Sequence, residues 1–147
     1  MKFRYVYQKV VDLKTNEKTQ AEWMLSAAVG ELQMEQYSLE QLNEERKRIY
    51  FTLQDEMENS ASMIKLQELQ RYLEHLNECI LRKTGDVQRA EQKVEQKKTV
   101  LTGKMLDEKV WLKAKEKAND KFQHESLLRE QNELDEMATV RFAMRGR

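Results

Sequence analysis

The stretch Leu66–Leu101, LQELQRYLEHLNECILRKTGDVQRAEQKVEQKKTVL, decides the fold. Positions spaced alternately three and four residues apart are apolar along its whole length, with Lys83 and Lys97 as the exceptions. A narrow apolar seam that keeps one phase for this long is typical of a coiled coil rather than of a globular helix. Gly85 falls on the outward face, where its cost of about 1 kcal/mol relative to alanine is tolerated. The stretch therefore predicts one uninterrupted helix.

The chain before this stretch, from Phe3 to about Met57, carries a second helical pattern in two phases. A shift of one residue between the two phases predicts that the supercoil is locally unwound there. A similar shift follows Leu101 on the later helix, where the apolar residues are Met105 and Leu112. The first phase contains Phe3, Val6, Val10 and Leu13, and the second contains Ala21, Leu25, Ala28, Leu32, Glu35, Leu39, Leu42, Arg46, Ile49 and Leu53.

The composition supports long helices. The 147 residues include no proline and four glycines, and 35% are charged. Without proline the strongest helix stop is missing, and such compositions belong to coiled coils. A narrow seam cannot enclose a substrate pocket, so the sequence predicts a protein that is not an enzyme.

The charge balance and the hydropathy pattern bear on partners. Twenty-six basic residues balance 26 acidic ones, so the basic excess that nucleic-acid binding usually requires is missing. No apolar run approaches the ~20 residues of a membrane span, so direct membrane insertion is not expected. One cysteine, Cys79, allows no internal disulfide, which fits a reducing cytoplasm.

Candidate chemistry is sparse. His75 and Cys79 are four residues apart and share a helix face, but two ligands without a third seldom hold zinc. We therefore expect both to be surface residues, and we expect no metal, no cofactor and no catalytic residue.

The segment Glu58–Ser62 separates the two helical patterns. Asn59, Ser60 and Ser62 favour turns and helix N-caps through short side-chain acceptors, and a five-residue connection suits antiparallel helices. The predicted fold is all-α: a single coiled-coil domain over residues 1–147 in which two long helices form an antiparallel hairpin. Helix 1 is predicted at about 3–57, the turn at about 58–62 and a longer, overhanging helix 2 at about 63–140. The chain alone is expected to be a monomeric hairpin; a parallel homodimer is the alternative.

The seam positions predict which residues face each other. A turn centred near Asn59 places the charged residues Glu35 and Lys83 opposite each other, where an opposed pair can fix the register. The same register places Phe3 opposite about Lys115, which leaves the rest of helix 2 unpaired. Further predicted pairs are Leu53 with Leu66, Ile49 with Leu69, Leu42 with Leu76, Leu39 with Ile80, Leu32 with Val87, Leu25 with Val94, Leu13 with Met105 and Val6 with Leu112.

Two groups of apolar residues have no predicted partner within the hairpin. Apolar side chains recur along the overhang and suggest docking onto another protein, with a frayed tail as the alternative. Aromatic residues near the turn suggest a second binding surface, with scattered surface aromatics as the alternative. The overhang group is Ala118, Phe122, Leu127, Leu128, Leu134, Met137, Val140 and Phe142; the turn group is Tyr37, Tyr50, Phe51 and Tyr72. Trp23 and Trp111 are expected to pack against the hairpin's own helices.

The two ends of the chain resemble a known family. The opening KFRYVYQKVVDLK at residues 2–14 is similar to the start of the FliJ family, a component of the bacterial flagellar type III export apparatus. The ending LDEMATVRFAMR at residues 134–145 resembles that family's tail, and the size and two-helix layout agree.

The resemblance implies a function and a set of partners. By this resemblance, the chain is an antiparallel coiled coil that acts as a stalk for a hexameric export ATPase. The resemblance also implies contacts with a membrane-embedded export gate and with export chaperones. The implied location is cytoplasmic, peripherally associated with the inner face of the cell membrane at the flagellar base. By position, the resemblance implies export-gate binding near the turn by Leu42, Tyr72 and Leu76. Tyr50 lies next to the family's aromatic position, which is Ile49 here, and is expected to bind with them. The implied ATPase-ring docking residues are Phe122, Leu127, Leu134, Met137, Arg141 and Phe142. The alternatives are a generic coiled-coil tether or scaffold, and a secretion chaperone that captures substrates on the overhang.

Overall fold

A computed structural model describes residues 2–146 of the chain. Helix α1 runs from Gln8 to Glu58 and helix α2 from Met63 to Arg145. The two helices pack against each other, which confirms the all-α helical hairpin. Tertiary contacts divide the chain into two compact units, of which one is Gln20–Thr102 and the other joins the residues up to Thr19 with those from Gly103 onward.

The turn of the unit Gln20–Thr102 is built from a helix C-cap followed by an N-cap. The Ala61 amide donates to the carbonyl oxygen of Glu56 at 3.0 Å, and the Ser60 amide donates to that of Met57 at 3.4 Å. This pair of bonds is the Schellman motif, and it requires the left-handed conformation that Ser60 adopts at φ 53°. Ser62 then caps α2, because its Oγ accepts the Lys65 amide hydrogen bond at 3.3 Å.

The apolar core of this unit follows the seam predicted from the sequence. Leu73 and Leu76 of α2 are buried against Ile49 of α1, and three half-buried leucines, Leu42, Leu53 and Leu69, surround them. Burial continues along the same seam to Ala21 and Ala28 on α1 and to Val87, Ala90 and Val94 on α2. The hydrophobic effect at these positions holds the two antiparallel helices together.

Cross-helix ion pairs lie within the apolar seam and at its edge. Lys83 Nζ lies 3.0 Å from Glu35 Oε2, so the structure brings these two predicted partners together. Lys93 Nζ lies 3.0 Å from Glu31 Oε2 at the edge of the seam. Glu35 is closer to the turn than Glu31, and its partner Lys83 is likewise closer to the turn than Lys93. This order is the one that antiparallel pairing requires.

In the other unit the seam keeps its phase but becomes polar. Lys14 Nζ lies 2.9 Å from Asp107, and Lys18 Nζ lies 3.1 Å from Glu108, which is a buried carboxylate. Lys104 completes the group with a contact to Glu17 at 3.3 Å. Long side chains can occupy seam positions because their methylene stems pack while their charged ends reach a partner.

The predicted phase shift is therefore wrong. It rested on Val6, Leu13, Met105 and Leu112, and all four side chains are exposed. Spacings of three and four residues instead connect Val11 through Lys14 and Lys18 to Ala21 on α1. On α2 the same spacing connects Leu101 through Lys104 and Glu108 to Trp111.

The N-terminal residues form an aromatic cluster rather than the first turn of a helix. Helix α1 begins at Gln8, later than predicted, and Val6 is 87% exposed in the turn before it. The rings of Phe3, Tyr5 and Tyr7 follow each other, with centroids 6.5 and 5.8 Å apart. Two of these rings also contact α2: Phe3 lies 5.5 Å from Phe122, and Tyr7 lies 6.0 Å from Trp111. The predicted pairing of Phe3 with Lys115 is thus corrected to Phe122.

Candidate partner-binding surfaces

The overhang of α2 begins after Phe122, because the N-terminal residues cover α2 up to that ring. From residue 123 to the end of the described chain, every residue except the half-buried Ser126 is exposed. Among the predicted docking residues, Phe122 belongs to the aromatic cluster and is half-buried. The structure leaves the other predicted docking residues, Leu127, Leu134, Met137, Arg141 and Phe142, on the exposed part of the helix.

Several apolar residues of the overhang lie on one face. Six side chains at spacings of three, four and one line a shallow concavity: Leu134, Met137, Ala138, Arg141, Phe142 and Arg145. Such spacing places side chains on one side of an α-helix. We call this set the overhang face.

The overhang face is not a continuation of the hairpin seam. The heptad phase that ends at Phe122 would continue through Glu125, Arg129, Asn132 and Glu136, all of which are polar. The apolar surface therefore lies on a different side of α2 from the surface that α1 covers. An exposed apolar face of this kind is typical of a helix that binds another protein.

The overhang face also carries positive charge. Arg141 lies between Met137 and Phe142 in the sequence, Arg145 follows Phe142, and both arginines are on the overhang face. Arginine combines a guanidinium that matches carboxylates with a stem that packs on apolar surface. A partner with apolar side chains flanked by carboxylates would satisfy both features.

A second exposed group lies near the turn. Tyr50 and Phe51 are exposed on α1, and Tyr72 of α2 is partly exposed. The Tyr72 hydroxyl donates to Glu45 Oε1 at 3.2 Å, and Arg48 also contacts that carboxylate, at 2.5 Å. The Arg48 guanidinium holds the pKa of Glu45 below its usual value. Burial, together with the hydrogen bond to Glu45, raises the pKa of Tyr72. The hydrogen bond to Glu45 orients the phenol, while the Tyr72 side chain remains 40% exposed.

The other two predicted gate-binding residues are placed differently. Leu76 is 4% exposed and packs between the helices, and Leu42 packs against the same core cluster. The Leu76 side chain offers no free surface to a partner, whereas half-buried Leu42 keeps part of its surface exposed. Their apolar character is explained by the seam positions that they occupy.

The structure also places four residues outside these surfaces: His75 and Cys79, which are expected to be surface residues, and the two tryptophans, which are expected to pack within the hairpin. Cys79 Sγ lies 3.6 Å from His75 Nε2 and 3.7 Å from Arg82. No group of residues that could hold a metal ion occurs within residues 2–146. Trp111 packs on Tyr7, but Trp23 is 72% exposed, so the expectation that Trp23 packs within the hairpin is wrong.

The family model of the flagellar FliJ protein matches residues 3–147. The chain belongs to the flagellar FliJ protein family. Its similarity to the flagellar FliJ protein of Bacillus subtilis (strain 168) is 26% identity over 152 residues, which covers 99% of each chain. A solved structure of a YscO homolog from Chlamydia trachomatis has the same fold, with a TM-score of 0.71, 19% identity and coverage of 95% of this chain and 94% of that one.

Family membership makes the chain a component of flagellar, type III protein export. Within the described residues, neither helix has a segment apolar and long enough to traverse a lipid bilayer.

Proposed function

We propose that the chain is a stalk of the flagellar export apparatus that docks on the export ATPase ring through the overhang face. The observation that carries this proposal is that Leu134, Met137 and Phe142 are exposed together on a helix that α1 no longer covers. Family membership supports a place in the flagellar export apparatus, and the exposed apolar face supports binding to a partner protein. The aromatic cluster around Phe3 and Phe122 would support the helix at the base of this surface.

A single helix is well suited to act on a ring of identical subunits. One side of the helix is apolar and the other is polar, so the subunits of a surrounding ring would contact different side chains. A ligand shifts a conformational equilibrium only by its differential affinity for the two states. Unequal contacts of this kind would favour one subunit conformation over another, without any chemistry by the stalk itself.

The turn surface is the proposed contact for the export gate. Tyr50 and Tyr72 are the predicted gate-binding residues that remain accessible, with Phe51 beside Tyr50. Tyrosine is a common interface anchor because it has a rigid apolar ring and a polar end. Leu42 and Leu76 would act indirectly, by holding the helices that carry these rings. This contact would keep the protein peripherally associated with the cytoplasmic face of the membrane, and export chaperones are further proposed partners.

A truncation that ends at His124 tests the ATPase contact. It retains the Phe3–Phe122 contact, so circular dichroism should show that the hairpin is still helical. We expect binding to the purified export ATPase to be lost, and the effect of the chain on ATPase activity to be lost with it. Undiminished binding by the truncated chain would reject the proposal. Loss of binding to export substrates alone, with ATPase binding intact, would favour the chaperone alternative.

A further inference from the structure

The outward face of α1 between Trp23 and Tyr37 carries a second apolar stripe, opposite the seam. Trp23, Met34 and Tyr37 are exposed by 72%, 73% and 63%, respectively. Ala27 and Gly30 lie between them at spacings of four and three residues, so all five share one side of the helix. We call this set the outer stripe. It lies entirely within the unit Gln20–Thr102.

The middle of the outer stripe is open. Beyond its chain neighbours and the adjacent backbone of its own helix, no atom lies within 4 Å of the position that a Cβ on Gly30 would occupy, and Ala27 is exposed. Large rings therefore stand on either side of a small-residue section of the helix. Small residues let a second helix approach closely, while the flanking Trp23 and Tyr37 provide aromatic contact area.

Along α1, the charge around the outer stripe has one sign; on α2, Arg89 and Lys93 line the same concavity as Met34, and each is paired with a carboxylate. Between Lys18 and Arg46, α1 contains no lysine or arginine and six glutamates. Glu31 and Glu35 are neutralised by lysines of α2. The remaining four glutamates are Glu22, Glu40, Glu44 and Glu45.

Three of these carboxylates have no basic partner among residues 2–146. Glu45 is held by Arg48, whereas no ion pair is formed by Glu22, Glu40 or Glu44. Glu22 and Glu40 flank the two ends of the outer stripe, and Glu44 follows Tyr37 by seven residues on the same side of the helix. The stripe is therefore apolar along its centre and negative at its ends.

We propose that the outer stripe binds a basic amphipathic helix of another protein. The apolar side of such a helix would cover Trp23, Met34 and Tyr37, and its lysines or arginines would reach Glu22 and Glu40. Charge complementarity sets the orientation and excludes unsuitable partners. A second copy of this chain is a poor occupant, because its own stripe would bring carboxylates toward carboxylates. The proposal does not depend on the overhang face or on the turn surface.

The test uses the full chain carrying Trp111→Phe, which leaves Trp23 as the sole tryptophan. One synthetic probe is an amphipathic helical peptide with leucine and alanine on one side and lysine on the other; its matched control has glutamate in place of every lysine. The expected result is a blue shift of Trp23 emission with the lysine peptide, reversed by salt, and no shift with the glutamate peptide. Equal responses to the two peptides would overturn the proposal.

Variants locate the binding site. Met34→Ala with Tyr37→Ala should weaken binding of the lysine peptide about tenfold or more, as loss of interface anchors does. Glu22→Gln with Glu40→Gln should also weaken binding and reduce its salt dependence. The matched control, Met137→Ala with Phe142→Ala on the overhang face, should leave binding unchanged.

Two results would contradict the assignment. Lysine-peptide binding that depends on the overhang control and not on Met34 and Tyr37 would place the site elsewhere. A two-chain mass in sedimentation that falls to one chain on Met34→Ala with Tyr37→Ala would show that a second copy, rather than a basic helix, occupies the stripe. All the substituted residues are exposed or partly exposed, so circular dichroism should show unchanged helicity.

Discussion

Lys83 of α2 donates a hydrogen bond to Glu35 of α1 across the seam, at 3.0 Å. The hydrogen bond to Glu35 is the main reason that the pKa of Lys83 is raised. Apolar seam residues Leu76 and Val87 flank the position of Lys83 along α2. A charged pair among apolar neighbours contributes little net stability, but it penalises any register that separates the two charges.

Replacing Glu35 and Lys83 by leucines tests how the pair contributes to the stability of the hairpin. Lys83→Leu alone should lower the urea midpoint, because it leaves the half-buried Glu35 carboxylate without its partner. Glu35→Leu alone should lower it less, because Lys83 keeps its contact with Asp86 at 3.7 Å. The double substitution should recover or exceed the original midpoint. A double-mutant cycle measured by urea unfolding checks this. Two single substitutions that are neutral and additive would show that the pair does not couple the helices.

Two leucines of α2 provide a matched test of the core. Leu73 is 2% exposed, whereas Leu81 is 76% exposed. Leu73→Ala should lower the free energy of unfolding by about 2–5 kcal/mol, through lost burial and the cavity that remains. Leu81→Ala should change it by less than about 0.5 kcal/mol. Urea denaturation followed by circular dichroism measures both, and similar losses at the two sites would contradict the proposed seam.

The cap at the turn predicts a stabilising substitution. Ser60 has φ 53°, where side chains with a Cβ are disfavoured and glycine is not. Ser60→Gly should therefore raise the free energy of unfolding by up to about 1 kcal/mol. Ser60→Val, a β-branched residue in the same conformation, should lower it. Thermal unfolding compares the variants, and a destabilised glycine variant would show that this conformation is not the one that closes the turn.

Glu108 predicts a dependence of stability on pH. A hydrogen bond from Thr15, and then one from Lys18, lowers the pKa of this buried carboxylate below its ordinary 4.5. A carboxyl group with a lower pKa when folded stabilises the fold above its unfolded pKa, and that contribution is lost as the pH falls through the folded pKa. Unfolding by urea at pH values from neutral to below 4.5 should show this loss, and Glu108→Gln should reduce its size. An identical pH dependence in the variant would exclude Glu108 as its source.

The sequence determined the hairpin because its strongest signals are local and regular. The Leu66–Leu101 seam keeps one phase, and Ser60 and Ser62 have the short side chains that turns and caps favour. The seam also predicts the Glu35–Lys83 contact, since both residues replace apolar ones in the same pattern. These inferences need no knowledge of distant packing.

The remainder of the seam could not be predicted, because polar residues occupy its positions there. Following apolar residues alone led to Met105 and Leu112, whereas the seam continues through Lys104 and Glu108, whose partners lie on α1. Hydropathy cannot identify such positions, because their burial depends on the opposite helix. The aromatic residues at alternate positions, Phe3, Tyr5 and Tyr7, were the available signal in the sequence for a late start of α1.

The binding surfaces were only partly predictable. Leu134, Met137 and Phe142 were found because they have no apolar partner in any hairpin register. Leu42 and Leu76 are assigned by family position, and only the packing shows that Leu76 is buried and Leu42 half-buried. The outward position of Trp23 was missed, although Trp23 lies seven residues before Gly30 and fourteen before Tyr37, which places it on the same outward face.

The most direct test of the proposed function compares two triple variants of the full chain. Leu134→Ala, Met137→Ala and Phe142→Ala remove the apolar side chains of the overhang face, whereas Asn132→Ala, Glu136→Ala and Thr139→Ala change the polar side of the same helix segment. We predict that the first variant loses at least about 100-fold in affinity for the export ATPase, as expected for several interface anchors, while the second binds normally and both remain helical. Equal affinity of the two variants for the ATPase would contradict docking through the overhang face.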